Sequence, residues 1–137
     1  MQQASFDKIF SFELFPPKTE KGFENLKATV NILNTLAPEF FSVTYGAGGS
    51  TQERTFSSVN WLRENGIPTA PHLSCIGSSQ QEILEILQHY RQQGVQRIVA
   101  LRGDLPSGAG LGSLGEFNYA NELVAFIKAE FADFILR

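Results

Sequence analysis

The feature that most constrains this chain is a short apolar run that ends in two opposite charges. Residues 98–101 (IVAL) form an unbroken apolar run with β-branched members, which predicts a buried strand. Arg102-Gly103-Asp104 follows directly. Because Gly and Asp are poor strand formers, we expect the strand to end there and to leave both charges at its carboxyl end. Two interpretations stay open: a functional site, or an ordinary turn in which Asp104 caps a helix and Arg102 is solvated.

Strand and helix patterns alternate four times along the chain, and a fifth strand begins near the end. The predicted strands are residues 9–14, 40–44, 68–75, 98–101 and 132–136. The predicted helices begin near Thr19, at Ser50 or Thr51, after the cap at residues 77–79, and near Tyr119; they end near residues 36, 64, 93 and 131. Alternation with short connections predicts a parallel sheet with helices on its outer face.

Polar side chains recur on one face of each predicted strand, near its carboxyl end. The pairs that share a face, two residues apart, are Ser11 and Glu13, Ser42 and Thr44, His72 and Ser74, and Ala100 and Arg102, with Asp104 just beyond the last. An open doubly wound sheet places its ligand at one switch point, whereas a (β/α)8 barrel mounts its catalytic groups at the carboxyl ends of many strands. The recurrence therefore favours a TIM-type barrel, of which this chain supplies four βα units and the start of strand five.

Glu13 is the strongest candidate for acid–base chemistry. It lies inside the run Phe-Ser-Phe-Glu-Leu-Phe, where partial desolvation would raise the pKa of a carboxyl group and suit it to donate a proton. The alternative is a structural glutamate paired with Arg102 or His72.

Other candidate residues have an ordinary structural interpretation beside the functional one. The Gly-rich segment 46–51 could cradle a phosphate through backbone amides, but it matches no nucleotide fingerprint and also fits a plain turn. His72 could act as a base, bind a ligand or be structural. Cys75 is expected to pack on the apolar face, and His89 to be solvated on a helix.

Composition narrows the class of protein. The chain has 137 residues, enough for a single domain, with 42% hydrophobic and 18% charged residues. A net charge of −3 without a basic cluster argues against nucleic acid as a partner. One cysteine, no metal-ligand spacing, no signal pattern and no membrane-length apolar run predict a reduced, cytoplasmic setting.

Four motifs resemble the methylenetetrahydrofolate reductases. They are residues 11–18 (SFELFPPK), 43–51 (VTYGAGGST), 71–75 (PHLSC) and 98–106 (IVALRGDLP), in the family's order and spacing. The resemblance implies an FAD enzyme with an eight-stranded βα barrel. Hydride passes from NADH or NADPH to the flavin and then to 5,10-methylenetetrahydrofolate, by ping-pong kinetics, which gives 5-methyltetrahydrofolate for methionine synthesis.

The resemblance also implies roles for individual residues. Glu13 would protonate N10 of the folate as its five-membered ring opens. Asp104 would lie near flavin and pterin and anchor the folate. The implied flavin contacts are Thr44, Tyr45, Ala47, His72, Arg102, Gly103, Asp104, Tyr119 and Ala120, and Thr44 would also contact the nicotinamide cofactor.

The family's barrel continues through four further βα units, whereas this sequence stops where the fifth strand starts. An open sheet edge is therefore expected. Two non-enzymatic alternatives follow: a remnant that associates with itself or a partner to cover that edge, or a complete flavodoxin-like module of five strands.

Overall fold

The protein is described by a computed structural model covering residues 7–45, 49–104 and 115–137, with the side chains of 49–51 left out. The strands are β1 (Phe12–Leu14), β2 (Phe41–Val43), β3 (Thr69–Ser74), β4 (Arg97–Leu101) and β5 (Ile135–Leu136). The helices are α1 (Glu20–Asn34), α2 (Gly49–Glu64), α3 (Gln80–Gln92) and α4 (Ala120–Glu130). The predicted order of elements is confirmed.

The five strands form one parallel sheet in the order β1-β2-β3-β4-β5. A flavodoxin-like sheet has the order 2-1-3-4-5, and this reversal places helices on both of its faces. The flavodoxin-like alternative is therefore wrong. A sheet in which every new strand adds to the same edge is a partial (β/α) barrel, and the barrel is not closed within the residues that the structure describes.

The helices form a single layer on one face of the sheet. Right-handed crossovers between strands that always advance in one direction place every helix on the same side. Ring contacts join α1 to α2 through Phe23 and Trp61, and α2 to α3 through Phe56 and Tyr90. Arg91 of α3 lies over the ring of Phe131, which follows α4. The core lies between this layer and the sheet.

Helix ends follow the sequence signals, with one exception. Thr19 caps α1 by accepting a hydrogen bond from the amide of Gly22, and Ser79 forms a capping box with Glu82 at the start of α3. The exception is α2, which begins at Gly49, so Ser50 and Thr51 lie in its first turn and not at the cap. Most of the Gly/Ser-rich connection 107–116 lies outside the described residues.

Register decides which side chains share the face opposite the helices, which we call the inner face. Glu13 pairs with Ser42 and Ser42 with Ala70, so these residues form one row of the inner face. His72 lies one row further toward the carboxyl ends of the strands, where it pairs with Val99.

The prediction that Ala100 lies on the polar face of β4 is wrong. Ala100 pairs with the fully buried Leu73 and packs against the core under the helices. Val99 and Leu101 share the inner face with His72 and Ser74. A shift of one residue in register exchanges the two faces of a strand, and the sequence does not show that shift.

None of the described helices has the length and apolar character needed to cross a membrane.

Candidate active site at the strand ends

Most predicted site residues lie along one rim of the sheet. Thr44 and Tyr45 follow β2, Arg102, Gly103 and Asp104 follow β4, and Tyr119 precedes α4. His72 and Glu13 lie within β3 and β1, on the inner face. Ala47 falls outside the described residues.

Glu13 and His72 form a polar contact on the inner face. Oε1 of Glu13 lies 3.4 Å from Nε2 of His72. The side chain of His72 is 13% exposed and that of Glu13 is 52% exposed. The carboxyl group thus has the imidazole as a partner, which is one of the two partners expected of a structural glutamate.

The predicted desolvation of Glu13 is not found, because its side chain is half exposed. The reason is its place in the sheet: β1 is an edge strand with β2 as its one neighbour among the described strands. The hydrogen bonds toward β2 use backbone groups of Phe10, Phe12 and Leu14. Successive residues of a parallel strand bond to opposite sides, so the backbone groups of Glu13 face the free edge. Water therefore reaches this carboxyl group from the side that no described strand covers.

Burial lowers the pKa of His72 below its ordinary value of 6.5, and the negative charge of Glu13 partly opposes that shift. The imidazole is therefore neutral at pH 7. A neutral imidazole presents a hydrogen-bond donor at one ring nitrogen and an acceptor at the other.

The Arg-Gly-Asp turn is held by the end of β3. The hydroxyl of Ser74 donates a hydrogen bond of 2.9 Å to the carbonyl oxygen of Arg102. Gly103 has a φ of +86° and packs so closely on Ser74 that a β-carbon would collide with the hydroxyl. Sequence reasoning placed Ser74 on the right face but missed this role, which depends on the pairing of β3 with β4.

Both ordinary roles suggested for the charges of this turn are absent. Arg102 is half-buried and its Nε donates to the carbonyl oxygen of Gly103, so it is not simply solvated. Asp104 is exposed, and the N-cap of α4 is Tyr119, so Asp104 does not cap that helix.

The amino end of α4 differs from those of α1 and α3. Tyr119 makes no side-chain hydrogen bond to the first turn, whereas Thr19 and Ser79 do so in their helices. Cys75 lies beneath both parts of the rim, with its sulfur 3.9 Å from the carbonyl oxygen of Arg102 and 3.7 Å from that of Tyr119. The start of α4 therefore adjoins the Arg-Gly-Asp turn, and the prediction that Cys75 is buried packing is confirmed.

The whole chain, residues 1–137, matches the family of methylenetetrahydrofolate reductase. It belongs to this family. The 5,10-methylenetetrahydrofolate reductases of Pectobacterium carotovorum and Escherichia coli are 43% and 42% identical over 125 residues. These alignments cover 90% of this chain and 40% of each relative. A rice protein called probable methylenetetrahydrofolate reductase (NADH) is 36% identical over 98% of this chain and 23% of its own length.

The chain thus spans about 40% of the length of these bacterial relatives, and the family's members are oxidoreductases. Membership agrees with the fold, because the sheet is part of a βα barrel and the motifs that carry the resemblance lie mainly at its rim.

Tyr45 stands apart from the other residues that the family resemblance implies. It lines a cavity of about 520 Å³ with Glu82, Glu85 and His89, between α2 and α3. Burial and the nearby charge of Glu82 raise the pKa of its hydroxyl. The structure therefore places Tyr45 beside the helices, away from the Glu13–His72 pair.

The prediction that His89 is solvated is wrong. Its ring packs 4.5 Å from that of Phe56, and its Nε2 is buried without a hydrogen-bond partner. The polar neighbours of His89 in sequence gave no sign of this packing.

Proposed function

We propose that this chain carries the proton donor and part of the flavin site of an enzyme that reduces 5,10-methylenetetrahydrofolate to 5-methyltetrahydrofolate. The supporting observation is the Glu13–His72 pair on the inner face, below a rim formed by the ends of β2 and β4 and by the start of α4, in a chain of this family. The product would serve methionine synthesis.

The rim fits FAD. Tyr119 gives the first turn of α4 no side-chain cap, and the amino end of a helix suits the negative charge of a pyrophosphate. Gly103 lets the turn after β4 pack directly on the hydroxyl of Ser74, which fixes the position of Arg102 and Asp104 on either side of it. Arg102 and Asp104 follow β4, Thr44 follows β2 on the other side of β3, and Ala120 is the first residue of α4.

Bound FAD supplies the hydride chemistry, while the protein supplies placement and charge. Glu13 delivers a proton to N10 of the folate as its five-membered ring opens. Its half-exposed carboxyl group lies on an edge strand, where a bound pterin would exclude water from it. Loss of water raises the pKa of a carboxyl group and favours the protonated form that an acid needs.

NADH is the reductant to test first, because the rice and maize relatives are named for it. One site that takes the nicotinamide cofactor and the folate in turn predicts ping-pong kinetics. Thr44 would contact the nicotinamide cofactor, and Asp104 would anchor the folate.

The test measures bound flavin, NADH oxidation by menadione and folate reduction in the purified chain. Glu13→Gln is expected to lower folate reduction by about 10²–10⁴-fold, the range of general acid catalysis, and to leave NADH–menadione turnover unchanged. Glu130→Gln, at the exposed carboxyl end of α4, is the matched control and should keep both activities. Equal loss of both activities in Glu13→Gln would remove Glu13 from the role of proton donor.

A second function is favoured by the apolar surface beside β1. Ile9, Phe10 and Phe15 are exposed at 71%, 45% and 72% along this edge strand. Such an edge can pair with another chain, so the protein would act by association and not by catalysis. A colourless preparation whose sedimentation coefficient rises with concentration would support this function, and a yellow monomer with turnover would exclude it.

A further inference from the structure

We propose that His72 is a positioning residue for Glu13: its imidazole holds the carboxyl group above β2, in the orientation from which the proton leaves. This inference rests on the proposed role of Glu13 and goes beyond the flavin contact that the resemblance implies for His72.

The two side chains meet although their strands are not neighbours. β2 lies between β1 and β3, which separates the outer two by about 9–10 Å at the spacing of neighbouring strands. A contact of 3.4 Å therefore requires both side chains to lean over β2 from opposite sides.

Small residues leave room for this bridge. Ser42 pairs with Glu13 on one side and with Ala70 on the other, in the row below His72. Ser42 and Ala70 are both buried, at 6% and 0% exposure. A branched side chain at position 42 would occupy the space over which the pair meets.

A neutral imidazole suits a partner that changes its protonation state. It can accept a hydrogen bond from the protonated carboxyl group through an unprotonated Nε2, and donate one to the carboxylate through Nε2–H in the other tautomer. Lysine or arginine could only donate, which would favour the carboxylate and oppose proton delivery. His72 can hold Glu13 both before and after the proton has left.

The contact itself is tested by NMR titration of the imidazoles in the 137-residue chain. The chain has two histidines, and His89→Gln assigns them. In Glu13→Gln, the pKa of His72 is expected to fall further, because the carboxylate that raises it is gone. Glu24→Gln, on the exposed side of α1, is the charge-matched control. An unchanged His72 titration in Glu13→Gln would overturn the inference without bearing on the function, because this readout needs neither flavin nor folate.

The role in catalysis is tested by separating the pair without touching either member. Ser42→Val is expected to lower kcat for folate reduction at least tenfold, to leave the KM for folate within twofold, and to keep NADH–menadione turnover. Ser42→Ala, which adds no bulk, should match the parent chain. His72→Gln, whose amide can donate and accept near the position of Nε2, should retain more folate reduction than His72→Leu at equal flavin content. Equal folate reduction in Ser42→Val and Ser42→Ala, or in the two His72 variants, would overturn the positioning role.

If Ser42→Val does not fold, the two His72 variants decide the question alone. If the parent chain shows no folate reduction, the proposed function fails, and the NMR titration still decides whether His72 holds Glu13.

Discussion

The hydroxyl of Ser74 occupies the space that a β-carbon at Gly103 would need. The same hydroxyl donates to the carbonyl oxygen of Arg102, so the end of β3 fixes the turn that follows β4. Gly103 also has a φ of +86°, which side chains disfavour. Two independent reasons therefore require glycine between the two charges of the rim.

Gly103→Ala should destabilise the protein by about 2–4 kcal/mol, as the sum of backbone strain and collision with Ser74. Gly66→Ala is the matched control, because Gly66 has a φ of +67° with nothing within 4 Å of the added carbon. It should cost only about 1–2 kcal/mol, the backbone term. Urea unfolding measures both. Equal losses of unfolding free energy in the two variants would show that Ser74 moves aside without an energetic cost.

Acid should destabilise the protein in part through His72. Because its folded pKa is lowered, the unfolded chain binds a proton first as the pH falls below 6.5. The contribution of His72 is thus complete above pH 6.5 and is lost as the pH falls through the folded pKa. Urea unfolding at pH 7.5, 6.5 and 5.5 should give a smaller decrease in unfolding free energy for His72→Gln than for the parent chain. A decrease in His72→Gln as large as that in the parent chain would place the effect elsewhere.

The order of the elements could be predicted because each signal is local. Apolar residues repeat every three or four positions in the helices, and the cap of Ser79 is encoded together with Glu82 three residues later. The carboxyl-end rim follows from that order alone, since every strand of a parallel sheet ends on the same side. The positions of Thr44, Arg102 and Gly103 at the carboxyl ends of β2 and β4 could therefore be predicted.

The properties that failed to be predicted depend on residues distant in sequence. The face of Ala100 depends on the register between β3 and β4, and the exposure of Glu13 depends on what lies beyond the edge of β1. Sequence offered His72 and Arg102 equally as partners of Glu13, because the choice rests on how side chains cross β2.

The buried face of the sheet should dominate stability. Ile98 in β4 is fully buried, and Ile98→Ala should cost about 2–5 kcal/mol through lost burial and the cavity left behind. Ile32→Ala is the matched control, since Ile32 is 69% exposed on α1, and it should change the free energy of unfolding by less than about 0.5 kcal/mol. Chemical denaturation gives both values. A loss in Ile32→Ala as large as that in Ile98→Ala would mean that the outer face of α1 is covered in solution.

The capping box of α3 should contribute measurably on its own. Ser79→Ala leaves the amide of Glu82 without its acceptor and should cost about 1 kcal/mol, within the range of 0.5–2 for such caps. Ser57→Ala, in the middle of α2, removes a hydroxyl that bonds only to the preceding turn, and it should be close to neutral. Thermal unfolding of the two variants should separate them by several degrees. If Ser79→Ala unfolds at the same temperature as the parent chain, water replaces the capping hydrogen bond at no cost in stability.

Cys75 should report on the rim without any added label. It is the one cysteine of the chain, and burial raises the pKa of its thiol, which keeps it protonated and unreactive at neutral pH. Its sulfur lies under the carbonyl groups of Arg102 and Tyr119, so a reagent reaches it only when the turn after β4 and the start of α4 separate, or when the chain unfolds. The reaction of Cys75 with an aromatic disulfide should be slow in the parent chain. Gly103→Ala should accelerate it by more than its loss of global stability accounts for. Gly66→Ala, far from the rim, should be accelerated only in proportion to its lost stability. If the reaction rate rises only in proportion to the lost stability in both variants, Cys75 is exposed by global unfolding alone. The turn after β4 then does not open by itself.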